Sequence, residues 1–175
     1  EERNALFDEA LDVLPLAWSG EPFSHQGRHF SARNVIQLPP PAQRPIPIWI
    51  GGNSKLARRR VARAAQGWMP MGGPAELAKT TRTTHIGSLD VLRDMIAEVK
   101  DAAGARGATL DFVGQYPDRD LAASPARDAE RHREVFARHA EAGVTWMVVG
   151  ASHTTPERHR AFVEEFGATY LAARD

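Results

Sequence analysis

The sequence predicts an α/β fold, about half of a parallel β/α barrel, and three observations carry that expectation. From Ile46 onward, a short apolar strand followed by an amphipathic helix recurs through four units. Strands that alternate with helices need crossover connections, and crossovers put the strands parallel in one sheet. At 175 residues, 42% of them hydrophobic, the chain can bury one core and is too short for two ordinary domains, so residues 1–175 are expected to form a single domain.

In chain order, Phe7, Leu11, Leu14 and Trp18 fall on one face at helical spacing, which predicts a helix from about 3 to 18 that Pro15 kinks or ends early. Residues 19–44 read as an insertion outside the repeat. Alternating pieces around Phe23, Gly27, Phe30 and Val35 to Leu38 predict a hairpin there, closed by Pro39-Pro40-Pro41. The four βα units occupy 45–175, with strands at Ile46 to Ile50, Gly67 to Met71, Leu110 to Gln115 and Val144 to Val149. Pro45 and Pro47 weigh against the first strand, since proline is tolerated only at a strand's start or edge. Helices are expected at about Ser54 to Ala65, Ser88 to Ala103, Arg127 to Ala142 and from Pro156 to Gly167 or beyond. Leu89, Leu92, Ile96 and Val99 line one side of the second, and Thr155-Pro156-Glu157 gives the last a cap and an acidic first turn.

Four parallel units are half of a TIM-type (β/α)8 barrel and leave two sheet edges to be covered. A missing N-terminal half or a second copy of the chain is therefore expected as partner, a homodimer in the latter case. Glu1-Glu2-Arg3-Asn4 runs directly into helical periodicity without an initiator Met, which reads as a start inside a longer polypeptide. Lysine plus arginine (22) offsets aspartate plus glutamate (22), so no whole-chain field draws the protein to nucleic acid or anionic lipid. The absence of cysteine removes thiolate chemistry and suits a reducing cytoplasm. Neither a signal-peptide pattern nor an apolar run near the roughly 20 residues of a membrane helix is seen. A soluble cytoplasmic protein that takes a small-molecule substrate is expected.

In a parallel sheet the loops after strand C-termini form the active face, here Gly51 to Ser54, Gly72 to Gly87, Tyr116 to Ala126 and Gly150 to Thr155. The first carries the chemistry. A strand ending in Trp49-Ile50 meets Gly51-Gly52-Asn53-Ser54 and then a helix. Two glycines let the backbone approach an oxyanion, Asn53 or Ser54 can cap the helix, and its first amides point at a bound anion. Lys55, Arg58, Arg59, Arg60 and Arg63 make this helix basic, and charges in its first turns oppose the macrodipole by up to about 1 kcal/mol each unless something negative sits there. A phosphate would supply it; an ordinary solvated basic helix is the plain alternative.

Trp18-Ser19-Gly20, Gly27-Arg28-His29-Phe30, the prolines 39–41, Pro45 through Ser54, and Gln66-Gly67-Trp68 come in one order. That order resembles the bacterial luciferase-like monooxygenase family, above all its deazaflavin branch. The match is dense over about residues 1 to 71; Glu141-Ala142-Gly143-Val144 also fits. The resemblance implies a TIM-type barrel that binds FMN or coenzyme F420 and performs hydride or oxygen chemistry on a small organic molecule. Gly51, Gly52, Asn53 and Ser54 would hold the cofactor phosphate, with Lys55 a second contact. Members usually show Asp-Gly-Trp where this chain has Gln66-Gly67-Trp68. In the family the N-terminal half supplies much of the ring pocket and the usual catalytic side chains, so no catalytic residue is assigned, and this portion alone is not expected to turn over efficiently.

Two readings from other classes stay open: a phosphate-binding barrel piece without a redox cofactor, and a non-catalytic self-associating domain. The seven histidines lack metal-site spacing, so no metal is expected. His25 and His29 belong to the hairpin, where packing outweighs catalysis; His85 and His153 fall on the active-face side. Trp49 and Trp146 are expected in the core, whereas Trp68 and Met69 lie near a strand end and could flank a ring system.

Overall fold

The computed structural model describes residues 2–117, 121, 124–150 and 155–171. Helix α1 is Glu2–Ala17. Pro15 lies inside it without ending it: Trp18 still donates to the Leu14 carbonyl at 3.0 Å, so only the bond of the missing proline N–H is lost from the last turn. Strands β1 (Phe23–Gln26) and β2 (Ser31–Val35) form the expected antiparallel hairpin, with a register shift between Phe23 and His25.

The main sheet holds β3 (Trp49–Gly51), β4 (Gly67–Met69), β5 (Asp111–Gln115) and β6 (Trp146–Val148), all parallel and adjacent in chain order. This is part of a β/α barrel of the kind expected, with shorter strands. Pro45 and Pro47 cannot donate to a ladder, and the Ile48 amide goes to the Gln66 side-chain carbonyl at 2.8 Å rather than to a neighbouring strand. Beyond Met69, Pro70 has no N–H, and the Met71 amide turns to the Asn53 side chain.

Helices α2 (Lys55–Ala64), α4 (Leu89–Ala103), α5 (Ala129–Glu141) and α6 (Pro156–Phe166) follow β3 to β6. Ser54, Ser88 and Thr155 cap α2, α4 and α6 through their hydroxyl oxygens. Two elements had no clear sequence signal: the short α3 (Ala75–Thr80) inside the long loop after β4, and a 3-10 stretch, Gly104–Thr109. Arg106 in that stretch donates to the carbonyls of Ala62, Arg63 and Ala65, closing the C-terminus of α2. Among the described residues no helix is long and apolar enough to cross a membrane.

The core lies between the sheet and α2 with α4. Val61, Ala65, Trp68, Ile96, Val99 and Phe112 are at most 2% exposed, and burying each large apolar side chain contributes about 2 kcal/mol. Strand alternation sends Trp49, Met69, Asp111, Trp146 and Val148 to the other face, away from α2 and α4. Trp146 is 56% exposed, so the expectation of a core tryptophan fails there. The strand period alone put that side chain opposite the helices. The Asp111 carboxylate accepts from both indoles, Trp49 Nε1 at 3.2 Å and Trp146 Nε1 at 2.9 Å, and the rings meet edge to face at 5.6 Å.

Candidate functional site

Gly51 ends β3, and Gly52 follows at φ 92°, where a side chain is strained. A Cβ on Gly52 would have room, its nearest neighbour being the Ala57 Cβ at 3.8 Å, so backbone conformation sets the need for glycine. The Gly52 carbonyl accepts from Trp68 Nε1 at 2.8 Å.

Asn53 is 1% exposed. Its carboxamide donates to the carbonyls of Met71 and Thr84, each at 2.8 Å, and accepts from the Met71 amide at 2.7 Å. Its own amide donates to Thr83 Oγ1 at 3.1 Å. Both side-chain donors are thereby spent on bracing the corner against the loop after β4. Capping falls to Ser54, whose Oγ accepts from the Ala57 amide at 3.1 Å. The Arg58 amide reaches the Ser54 carbonyl, so the amides of Ser54, Lys55 and Leu56 are left with no acceptor among the described residues. Lys55 is exposed beside them.

Most of the positive charge of α2 has partners in the chain. Arg58, 5% exposed, donates to the Asn53 carbonyl and to Glu98 of α4 at 2.9 Å. Arg60 grips Asp8 of α1 with two bonds at 2.6 and 2.9 Å and lies over the Phe7 ring, and Arg63 pairs with Asp12. The Arg60 hydrogen bond above all holds the Asp8 carboxyl below its usual range, against burial and with help from the charges of Arg60 and Arg63. Lys55 and Arg59 are the two cations of this helix with no ion pair among the described residues.

The five residues anticipated for anion binding thus sit together at the carboxyl edge of the sheet, with Asn53 turned inward and Ser54 and Lys55 outward. Trp68 is fully buried on the helix side with its indole N–H on the Gly52 carbonyl, whereas Met69 is 39% exposed on the opposite face. Gln66, standing where the resembling family carries aspartate, fixes the entry to β3 through Ile48. Thr83 and Thr84 were missed as part of the corner; the polar run in a long loop was their one sequence signal. His85 is exposed in that loop, and His153 lies outside the described residues, as do parts of the loops 116–126 and 150–155. His132 is 1% exposed and hydrogen-bonds the Tyr116 hydroxyl. Among the described residues no cluster of three or more metal-ligating side chains occurs.

Next to this corner, past Gly72 and Gly73, lies a cavity of about 720 Å³ over the end of β5, bounded by α4 and α5; residues 51–55 do not line it.

Comparison with known proteins agrees with this architecture. An uncharacterized protein of Mycobacterium tuberculosis is 38% identical over 111 residues, covering 63% of this chain and 33% of that protein. A protein of Microbacterium testaceum named F420-dependent glucose-6-phosphate dehydrogenase is 29% identical over 134 residues, 72% of this chain and 36% of its own. The chain thus spans about a third of the length of these curated relatives. Among solved structures, an F420-dependent secondary alcohol dehydrogenase superposes with TM-score 0.65 at 16% identity, over 99% of this chain and 62% of that one. The coenzyme F420 dependent tetrahydromethanopterin reductase of Methanopyrus kandleri follows with TM-score 0.60 at 14% identity, over 94% and 61%; at these identities the likeness is one of fold. The family model described as luciferase-like monooxygenase matches residues 1–117, well over half of the sequence, and the chain belongs to that family.

Proposed function

We propose that this chain is part of an oxidoreductase that uses FMN or coenzyme F420 for hydride or oxygen transfer to a small organic substrate, and that Gly51, Gly52, Asn53, Ser54 and Lys55 hold the phosphate of the cofactor. One observation carries the reading. At the carboxyl edge of a parallel sheet, two residues without side chains precede a helix whose first amides have no acceptor among the described residues. The names of the Microbacterium relative and of the two superposing structures support F420; family membership supports the wider flavin chemistry.

Bound there, the cofactor would supply the redox chemistry itself. The chain's residues bind and orient. Gly51 and Gly52 leave the backbone open to close approach. The amides of Ser54, Lys55 and Leu56 donate to phosphate oxygens at the positive end of the helix dipole, worth up to about 1 kcal/mol, and the Lys55 ammonium adds a point charge. Asn53 acts through the backbone, locking the corner to the loop after β4 so that these amides keep their direction. The ring pocket and the catalytic side chains belong to other parts of the active site, and this portion alone is expected to bind without turnover.

The test is a fluorescence titration, with FMN and with coenzyme F420, of the whole polypeptide that carries this sequence. Saturable binding of one is expected; binding of neither, or preference for a sugar phosphate over both, would overturn the reading.

A second reading, self-association, rests on the sheet face turned away from α2 and α4, where Met69, Trp146 and Val148 are 39%, 56% and 50% exposed. Sedimentation of the chain would show a dimer if that face pairs with a second copy, and a monomer if it does not.

A further inference from the structure

The cavity beside the corner is lined by two kinds of side chain. Ile86, Leu89, Leu92 and Val135 are apolar, while Arg138, His139 and Gln115 are polar. Among the described residues no aspartate or glutamate lines it. Arg138 is exposed and has no ion pair among the described residues. In this it differs from Arg58, Arg60 and Arg63, whose guanidinium groups are tied to carboxylates. His139 donates from Nδ1 to the Val135 carbonyl at 2.8 Å, which fixes the ring and leaves Nε2 as its remaining polar atom.

Ser88, also on the lining, starts α4. Its hydroxyl accepts from the Val91 amide at 3.3 Å and its carbonyl takes the Leu92 amide, so the helix presents the amides of Leu89 and Asp90 at its positive end. Gly72 and Gly73 line the cavity without side chains. A Cβ on Gly72 would stand 3.1 Å from Gln115 Oε1, and Gly73 adopts φ 125°. A guanidinium with no ion pair among the described residues, set against aliphatic side chains beside a helix N-terminus, makes a site for an amphiphilic anion.

We propose that this cavity binds a small organic anion, with its carboxylate or phosphate against Arg138 and its apolar body against Ile86, Leu89, Leu92 and Val135. As a binding site it stands on the cavity alone; as the substrate site of the enzyme it rests on the oxidoreductase reading above. The volume of about 720 Å³ suits a molecule of ring or short-chain size, within the usual range of small-molecule pockets.

The test is an amide NMR titration of the 175-residue chain with benzoate, phenyl phosphate and benzyl alcohol. Benzoate and phenyl phosphate separate the two sources of charge, and benzyl alcohol keeps the ring without it. Saturable shifts at Gly72, Gly73, Leu89 and His139 are expected with at least one anion, at about tenfold or greater preference over the alcohol. Arg138→Gln should weaken that anion about tenfold and leave the melting temperature and the FMN or F420 titration unchanged, while Arg138→Lys should recover part of the loss. Equal affinity for benzyl alcohol, no binding of either anion, or an unchanged constant in Arg138→Gln would overturn the proposal. Failure of FMN and F420 to bind a chain that still takes benzoate would instead strike the oxidoreductase reading.

Discussion

At the hairpin turn the amides of Arg28, His29 and Phe30 converge on the Glu9 carboxylate of α1 at 2.8 to 3.2 Å, whereas at the end of β3 the amides of Ser54, Lys55 and Leu56 meet no acceptor among the described residues. Both are rows of backbone donors suited to an anion. The first is satisfied from within, with His25 Nε2 also 3.2 Å from Glu9. Burial pushes the Glu9 carboxyl up, but the amides of Phe30, His29 and Arg28 and the His25 ring outweigh it and hold the pKa at about 2. That arrangement is a joint between helix and hairpin. The corner after β3 is instead shaped from behind, by Asn53, and offers its donors outward. Positive charge does not tell the two apart: three arginines of α2 are spent on Asp8, Asp12 and Glu98. What separates a joint from a ligand site is whether the chain supplies the acceptor.

The comparison can be broken most forcefully at Asn53. Asn53→Ala leaves the Met71 amide and two carbonyls without partners in a buried place, so urea unfolding should show a loss of about 3 kcal/mol, with cofactor affinity falling alongside. Wild-type stability in that variant would mean that Asn53 does not brace the corner.

At the hairpin, Glu9→Gln should speed hydrogen exchange at Arg28 to Phe30 without touching cofactor binding. The wild type should show the same loosening in acid. With a folded pKa of about 2 against 4.5 for the free group, the unfolded state takes up the proton first. The contribution of Glu9 is therefore full above about pH 4.5 and is lost as the pH falls toward 2. Exchange that ignores pH across this window would contradict the joint.

A finer probe is Gly51→Val. A Cβ there meets only the Met69 carbonyl at 3.6 Å, an ordinary contact, so the fold should survive while FMN or F420 affinity drops about tenfold. Gly52→Val is less informative, since φ 92° strains any side chain at that position. The smallest change expected is at Lys55: its replacement by alanine should weaken the cofactor about threefold, with an effect that shrinks as salt rises.

The helices were legible because their signals are local: Ser54, Ser88 and Thr155 cap as their positions suggest, and Leu92, Ile96 and Val99 are buried on the face that their spacing marks. Strand ends were less so. The Gln66 side chain takes the Ile48 amide and Asn53 takes that of Met71, and both bonds cross from one βα unit to the next. At the corner, the glycines and a cap at Asn53 or Ser54 could be read from spacing, but the choice of Ser54, the inward turn of Asn53 and its Thr83 and Thr84 partners could not. Those residues lie about thirty positions on, in a loop whose composition signals only that it is polar.

By itself the sequence determined the alternation of strand and helix, hence parallel pairing, and the strand-to-helix turn at Gly51 to Ser54. Period and capping are properties of neighbouring residues, and they survive whatever packs around them. The tertiary structure alone decided which donors remain free. Arg60 finds Asp8, Arg58 finds Glu98 and Glu9 finds the hairpin amides, while Arg138 and the first amides of α2 find no partner of this kind among the described residues. A hydrogen bond is fixed by distance and angle between groups far apart in the chain, and that geometry exists only once the sheet has brought them together.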